Sequence, residues 1–396
     1  MSLIRHKKGE GFFRTRKFLG RFRRSTKAAA TQGNGVDLYP NGGEFFPAFF
    51  AALRSAQRTI CLEFYIVRDD PVGREMSDLL IAAAEKGVSV SLLYDYIGSF
   101  ETPSVFFRRL EQGGVDCRAF NAPPFRRGIA WFDKRDHRKI AVIDGIVAFA
   151  GGLNIGAEYA GYGESRELWR DVGIRVRGPA AVKLQKLFCE SWEGETGRWP
   201  DGCYTDTIHA PRAGDAEVHI VSGGPHQNRS FIHNAFRLTM AGASHSITIA
   251  NPYFVPGPRV IRSLLRAVSR GVKVRLILPA VSDVPMVRLV SRSTYAQLLK
   301  GGIEIYEREG TILHAKVMVI DGCWSIVGSA NLDHRSFHRN YEVNLIVAGT
   351  TFGTQVENML AGDLTCSRRV ELEEHERRGW FVRLLERLCS PVSWFL

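Results

Sequence analysis

At 396 residues the chain is long enough for two domains that each bury a core, and 45% hydrophobic against 24% charged residues marks a globular protein, not a disordered one. The net charge of +12 is lopsided: residues 1–30 hold ten Lys/Arg against Glu10 alone, +9, which leaves +3 for the other 366 residues. Seven scattered cysteines without a C-x-x-C pair argue against a disulfide framework or a zinc site, and no stretch reaches the roughly 18–20 apolar residues of a membrane span.

In chain order, residues 1–34 form a basic arm with no apolar core behind it, so it does not read as a secretory signal. On a helical wheel Phe12, Phe18, Leu19 and Phe22 share one arc, with Arg14, Lys17, Arg21 and Arg24 outside it. That pattern predicts a helix lying in an anionic membrane surface, a disordered basic tail being the plainer alternative. A first half over residues 35–200 follows. It has helices at 44–56 and 76–86, and strands at 59–67, 88–94, 140–143 and 148–150. A basic, aromatic loop at 121–136, with Phe125 and Trp131, precedes the last two strands. The seam at 194–215 is rich in Gly, Pro, Thr and Asp. The second half, 201–365, has strands at 247–249, 272–278, 317–320 and 325–327. Residues 366–396 predict an amphipathic helix with Trp380, Phe381, Leu384, Leu385 and Leu388 on one face, then a tail after Pro391.

The halves repeat one another. Residues 137–154 read HRKIAVIDGIVAFAGGLN and residues 314–331 read HAKVMVIDGCWSIVGSAN, at an offset of 177 throughout. Upstream, AAAEKGVSVSLL (82–93) pairs with RAVSRGVKVRLI (266–277), and GGVDCRAF (113–120) with GGIEIYER (301–308). The change of offset, from 188 to 177, places about eleven extra residues in the loop before the first motif. This rhythm predicts an α/β fold of two similar halves related by a pseudo-twofold axis, each a mixed, mainly parallel sheet flanked by helices.

The repeated H-x-K-x4-D pattern carries chemistry. Side chains two apart on a strand point the same way, so His137 with Lys139, and His314 with Lys316, project together while Arg138 and Ala315 turn away. Asn154 and Asn331 follow Gly151-Gly152 and Gly328-Ser329, turns that let backbone approach a ligand closely. Two facing halves would form a cage of two imidazoles, two ammoniums and two carboxamides, with Ser329 as a further phosphate donor. Such a cage can hold a phosphodiester without a metal or other cofactor. One neutral histidine attacks phosphorus and the other, protonated, serves the leaving alcohol. Asp144 and Asp321 complete the motif; each precedes a glycine, so a turn role weighs as heavily as a catalytic one.

The doubled motif resembles that of the phospholipase D superfamily. LEFYIV, HRKIAVIDGIVAFAGGLNIGAEY, ANPYFVP and LHAKVMVIDGCWSIVGSANLDHRSF are similar to bacterial cardiolipin synthases, the shorter form without transmembrane helices, over roughly residues 35–360. The resemblance implies phospholipase D-type halves and transfer of a phosphatidyl group from one phosphatidylglycerol to another. It implies His137 as nucleophile, His314 as acid and base, and Asp171 and Glu342 as carboxylates orienting the histidine of the opposite half. It also implies peripheral association with the cytoplasmic face of the cell membrane; since both motifs lie on one chain, a monomer is expected to suffice for the site. A phosphodiesterase or nuclease of the same superfamily stays open as the alternative, although the nearly neutral body disfavours nucleic acid.

Overall fold

The structure is a computed structural model that describes residues 9–123, 133–203, 210–225 and 230–379. The first half contributes β1 (Ala30–Tyr39), β2 (Thr59–Phe64), β3 (Ser89–Asp95), β4 (Asp116–Phe120), β5 (Lys139–Ile143), β6 (Val147–Gly151) and β7 (Gly173–Arg177). Its helices are α1 (Gly9–Phe13), α2 (Arg16–Thr26), α3 (Gly42–Arg54), α4 (Pro71–Glu85), α5 (Ser104–Gln112) and α6 (Pro179–Thr196). The second half contributes β8 (Ala216–Gly223), β9 (Ser246–Ala250), β10 (Lys273–Pro279), β11 (Glu304–Arg308), β12 (Val317–Ile320), β13 (Trp324–Gly328), β14 (Glu342–Ala348) and β15 (Ser367–Arg369). Its helices are α7 (Phe231–Gly242), α8 (Pro258–Ser269), α9 (Pro285–Ser293), α10 (Tyr295–Lys300), α11 (His334–His338), α12 (Thr350–Thr365) and α13 (Leu372–Glu376).

All fifteen strands form one sheet in the order β15-β11-β10-β9-β12-β13-β14-β8-β1-β7-β6-β5-β2-β3-β4. Outward from the central β8–β1 pair the same connections appear twice, which is the pseudo-twofold relation expected from the repeat. The expected predominance of parallel pairing is corrected. In each half only two pairs, β2·β3 and β3·β4 or β9·β10 and β10·β11, are parallel, and the edge pair β11·β15 is antiparallel. The inner pairs are antiparallel, β2·β5, β5·β6, β6·β7 and β1·β7 in the first half with their counterparts in the second. The reason lies in the Asp-Gly pairs. Asp144 and Gly145 have φ of 53° and 72°, Asp321 and Gly322 of 51° and 61°. Asp and Gly accept this left-handed geometry, which a tight hairpin needs, so β5 and β12 turn straight back on themselves.

Helices cover both faces. On one, α6 and α12 straddle the junction, and the core beneath them draws Val142 and Ile174 from the first half together with Val319 and Leu345 from the second. On the other, α3 and α4 bury the Phe45, Phe49 and Leu80 cluster of the first half, while α7 and α8 bury Leu238, Leu264 and Trp324 of the second.

The structure also corrects the reading of the N-terminal arm. Thr15 caps α2 by accepting from the Phe18 N–H at 3.2 Å, and Lys27 ends it in the left-handed conformation. The face carrying Phe18 and Phe22 is turned inward: their exposures are 6% and 1%, and both rings lie against Trp324 at 5.5 and 5.7 Å. Each buried phenylalanine is worth roughly 1.5–3 kcal/mol, so these rings are held by the body of the protein and not offered to lipid. The boundary at residue 34 falls inside β1, which pairs with β7 and β8. The boundary at residue 366 is likewise displaced, because β15 pairs with β11 at the sheet edge. Phe125, Trp131 and the face from Trp380 to Leu388 lie outside the described residues. No helix among the described residues is long and apolar enough to cross a membrane.

Candidate active site

The site lies where β5 and β12 begin and β2 and β9 end. Backbone stitches from the two halves close it: the His137 N–H donates to the Tyr341 carbonyl at 2.9 Å, and the His314 N–H to the Arg170 carbonyl at 2.8 Å. Residues 341 and 170 immediately precede Glu342 and Asp171 in the chain. Each half thereby delivers its carboxylate to the other half's imidazole. His137 Nδ1 lies 3.1 Å from both Glu342 oxygens, and His314 Nδ1 lies 2.6 Å from Asp171 Oδ2.

Both imidazoles, with Asn154 and Asn331, line one cavity of about 550 Å³. Lys139 Nζ donates to the His137 carbonyl at 2.7 Å, and Lys316 Nζ to the His314 carbonyl at 2.5 Å. The intervening Arg138 turns away, as alternation requires, and reaches Ser191 Oγ at 2.7 Å and Glu63 at 3.5 Å. Burial governs the titration here. It pulls Lys139 down to about 7 and Lys316 to about 8, the carboxylates opposing it in each case. It pushes Glu342 up to about 7 against the pull of Lys139. His137 is held well below its ordinary value by burial and by Lys139, Lys316 and His314. His314 is also lowered, by burial and Lys316, but Asp171 works against the shift.

The halves are not identical at the cradle. Gly152 stands where the second copy has Ser329, and a Cβ there would lie 2.1 Å from Asp171 Oδ1. The short Asp171 thus comes in over a glycine. The longer Glu342 is instead met by the Ser329 hydroxyl, which donates to Oε2 at 2.5 Å, while the Val343 N–H donates to Ser329 Oγ at 3.0 Å. Ser329 therefore holds a carboxylate and does not face the cavity, contrary to its expected place in the phosphate cradle.

Asp144 and Asp321 are also corrected. Each sits at the far end of its strand, about 16 Å along the chain from its lysine at ~3.3 Å per residue. The Asp144 carboxylate accepts from the N–H groups of Gln57, Arg58 and Thr59, with distances of 2.7 and 2.9 Å for the last two. Asp321 does the same for Ser244, His245 and Ser246. They fasten turns. The asparagines do line the cavity, although Asn154 is engaged by the Ile66 N–H and by the Tyr159 hydroxyl, whereas the buried Asn331 Oδ1 has no partner among the described residues.

Several lining residues escaped the sequence reading. Tyr65 packs 5.0 Å from the His137 ring, and Tyr159 and Trp169 pack 5.5 and 5.4 Å from that of His314. Arg135 is 3% exposed and pairs with Asp95 at 3.3 Å, yet its Nε and Nη2 are without partners among the described residues. Its signal was available in the basic run leading into the first motif. Asp283 and Asp333 bring carboxyl groups to the same cavity, and burial raises Asp333 to about 7. Neither lies within a repeated stretch.

Comparison with known proteins agrees with this architecture. A family model described as "Cardiolipin synthase, PLD-like domain" matches residues 49–192 and 237–364. A protein named cardiolipin synthase from a Geobacillus species is 37% identical over 360 residues, covering 89% of this chain and 71% of that one. Cardiolipin synthase A of Pseudomonas syringae is 36% identical over 371 residues, 92% of this chain and 76% of its own. Among solved structures, phosphatidylserine synthase of Haemophilus influenzae superposes with a TM-score of 0.70 at 13% identity, covering 96% of this chain and 99% of that one. That likeness carries the fold alone.

Proposed function

The chain belongs to the phospholipase D-like cardiolipin synthase family, and from that premise we propose that it transfers a phosphatidyl group between two phosphatidylglycerol molecules through a histidine-bound intermediate. His137 Nε2 attacks phosphorus; the P–O bond to the departing glycerol breaks, and His314 Nε2 gives its proton to that oxygen. Glycerol leaves and a second phosphatidylglycerol brings its hydroxyl. His314 takes the hydroxyl proton, the oxygen attacks phosphorus, and the P–N bond breaks to free His137 and cardiolipin.

The observation that carries this reading is the crossed pairing: imidazoles from both halves line one cavity, each held at Nδ1 by a carboxylate of the other half. Fixing Nδ1 presents Nε2 for reaction, with Lys316 Nζ 3.0 Å from that of His314. The division of labour is taken from the family resemblance and is supported by the surroundings: burial and three cationic neighbours lower His137 despite its contact with Glu342, whereas at His314 Asp171 works against the lowering. A phosphate beside the buried Lys139 and Lys316 would favour their charged forms, and Arg135 has N–H groups to spare for its oxygens. Both motifs lie on one chain, so a monomer suffices, and the substrate implies peripheral association with the cytoplasmic face of the membrane.

Purified protein incubated with phosphatidylglycerol vesicles should yield free glycerol and a four-chain lipid. Phosphatidic acid without cardiolipin would make it a hydrolase, and cleavage of labelled DNA with untouched lipid would overturn the reading.

A further inference from the structure

The outer helices of the second half carry a second basic site. Between α7 and α8 lies a cleft of about 620 Å³ lined by Arg237, Arg259, Arg262, Arg266, His233 and His338. Arg259, Arg262 and Arg266 follow helical spacing along α8, exposed on the face opposite its buried Val260, Ile261, Leu264 and Ala267. No ion pair joins any of the four guanidiniums to a carboxylate among the described residues. The cations act on one another instead: after burial, His338, Arg237 and Arg259 push His233 down to about 4. Next to α7 packs α2, whose phenylalanines point inward and whose Arg16, Lys17, Arg21 and Arg24 are exposed. The equivalent helix of the first half, α4, is different. Its Arg74 pairs with Asp69 at 2.7 Å, Glu75 with Arg54 at 2.7 Å and Asp78 with Arg109 at 2.6 Å.

We propose that the α7–α8 cleft is a non-catalytic phosphate site that takes the headgroup of an anionic phospholipid in the bilayer and sets the catalytic cavity against the membrane. Four unpaired guanidiniums around a cleft of this size match one phosphodiester with its glycerol, and planar, forked donors suit phosphate oxygens. The position fits the task. His338 belongs to α11, and Arg335 and Ser336 of that same short helix line the catalytic cavity. A lipid held in the cleft therefore sits one helix away from the reacting imidazoles. The α2 cations widen the positive surface and add attraction to an anionic leaflet. A nucleic acid would favour an extended basic track, but the 366 residues outside 1–30 carry only +3.

The inference rests on the reading of the substrate as a bilayer lipid, and its test reads binding separately from chemistry. The variant Arg259→Gln/Arg262→Gln/Arg266→Gln is compared with wild type and with Arg54→Gln/Arg74→Gln/Arg109→Gln, which removes the same charge from the first half. Flotation uses vesicles of phosphatidylglycerol in phosphatidylcholine, and of phosphatidylcholine alone. Activity is measured on short-chain phosphatidylglycerol dispersed below its aggregation threshold. The α8 variant should bind anionic vesicles on the order of 10–100-fold more weakly, glycerophosphate should compete for wild-type binding, and turnover of dispersed lipid should match wild type. Unchanged flotation of the α8 variant, or an equal loss in the first-half variant, overturns the site. So does loss of DNA binding without loss of vesicle binding. A parallel drop on dispersed lipid would assign these arginines to the catalytic cavity instead.

Discussion

Around the cavity the two halves are near-copies. His137, Lys139 and Asn154 are answered by His314, Lys316 and Asn331, and each imidazole leans on a carboxylate from across the axis. On the outside they diverge: α4 holds Arg74, Glu75 and Asp78 in ion pairs, whereas the row of arginines on α8 has no ion pair among the described residues. A smaller divergence reaches inward, with Gly152 and Asp171 on one side and Ser329 and Glu342 on the other. In the proposed mechanism the duplication grips one phosphate from both sides, and the departures from symmetry give equivalent positions different jobs.

The sharpest way to break the inner equivalence is to remove each imidazole in turn. His137→Asn and His314→Asn should each lose at least about 10²–10⁴-fold in transphosphatidylation. With a phosphatidyl ester of p-nitrophenol, whose leaving group needs no proton, His314→Asn should recover the first step and His137→Asn should not. Equal recovery, followed by release of nitrophenolate, would erase the distinction. The cradle comes next. Gly152→Ser places an atom against Asp171 and should cost on the order of 10²-fold in kcat by displacing His314. Ser329→Gly removes one bond to Glu342 and should cost about tenfold. Comparable losses would mean that the pairing of Gly with Asp and Ser with Glu has no bearing on geometry.

A third test uses pH. Lys139 titrates at about 7 in the folded protein against an ordinary 10.5, so between those values the unfolded chain binds the additional proton. Wild-type stability relative to Lys139→Met should therefore rise as pH climbs from about 7 toward 10.5 and then level off, read as the difference in Tm. A flat difference would mean that the lysine keeps its proton throughout. The smallest effect on activity belongs to Asp144→Asn and Asp321→Asn. Each should lower stability by about 1–3 kcal/mol, because three backbone donors lose a charged acceptor, with kcat nearly unchanged. A loss of activity as large as that of Lys139→Met would return these aspartates to the site.

The sequence disclosed what repeats and what alternates. Two H-x-K copies at a fixed offset located the cavity, and period-two alternation sent Arg138 away from it correctly. The pairing direction of the inner strands was also legible, in the Asp-Gly turns, but the helix–strand rhythm upstream suggested crossovers throughout. β1 was missed because Thr31, Gln32, Gly33, Asn34 and Gly35 show no apolar alternation; its place depends on long-range pairing with β7 and β8. The amphipathic pattern of α2 was genuine, and only its partner was misread, since a wheel cannot distinguish lipid from Trp324. Arg135, Tyr65, Trp169 and Asp283 reach the cavity from single, unrepeated positions, where neither period nor duplication marks them.

The central claim is that one imidazole carries the phosphatidyl group while its counterpart moves protons. Rapid quench of the enzyme with phosphatidylglycerol labelled at phosphorus, followed by peptide mapping under mildly alkaline conditions, tests it directly. The label should reside on the imidazole of His137, be lost in acid, and chase into cardiolipin when unlabelled phosphatidylglycerol is added. Label on His314, or cardiolipin formed at full rate with no labelled histidine at any quench time, would contradict the account.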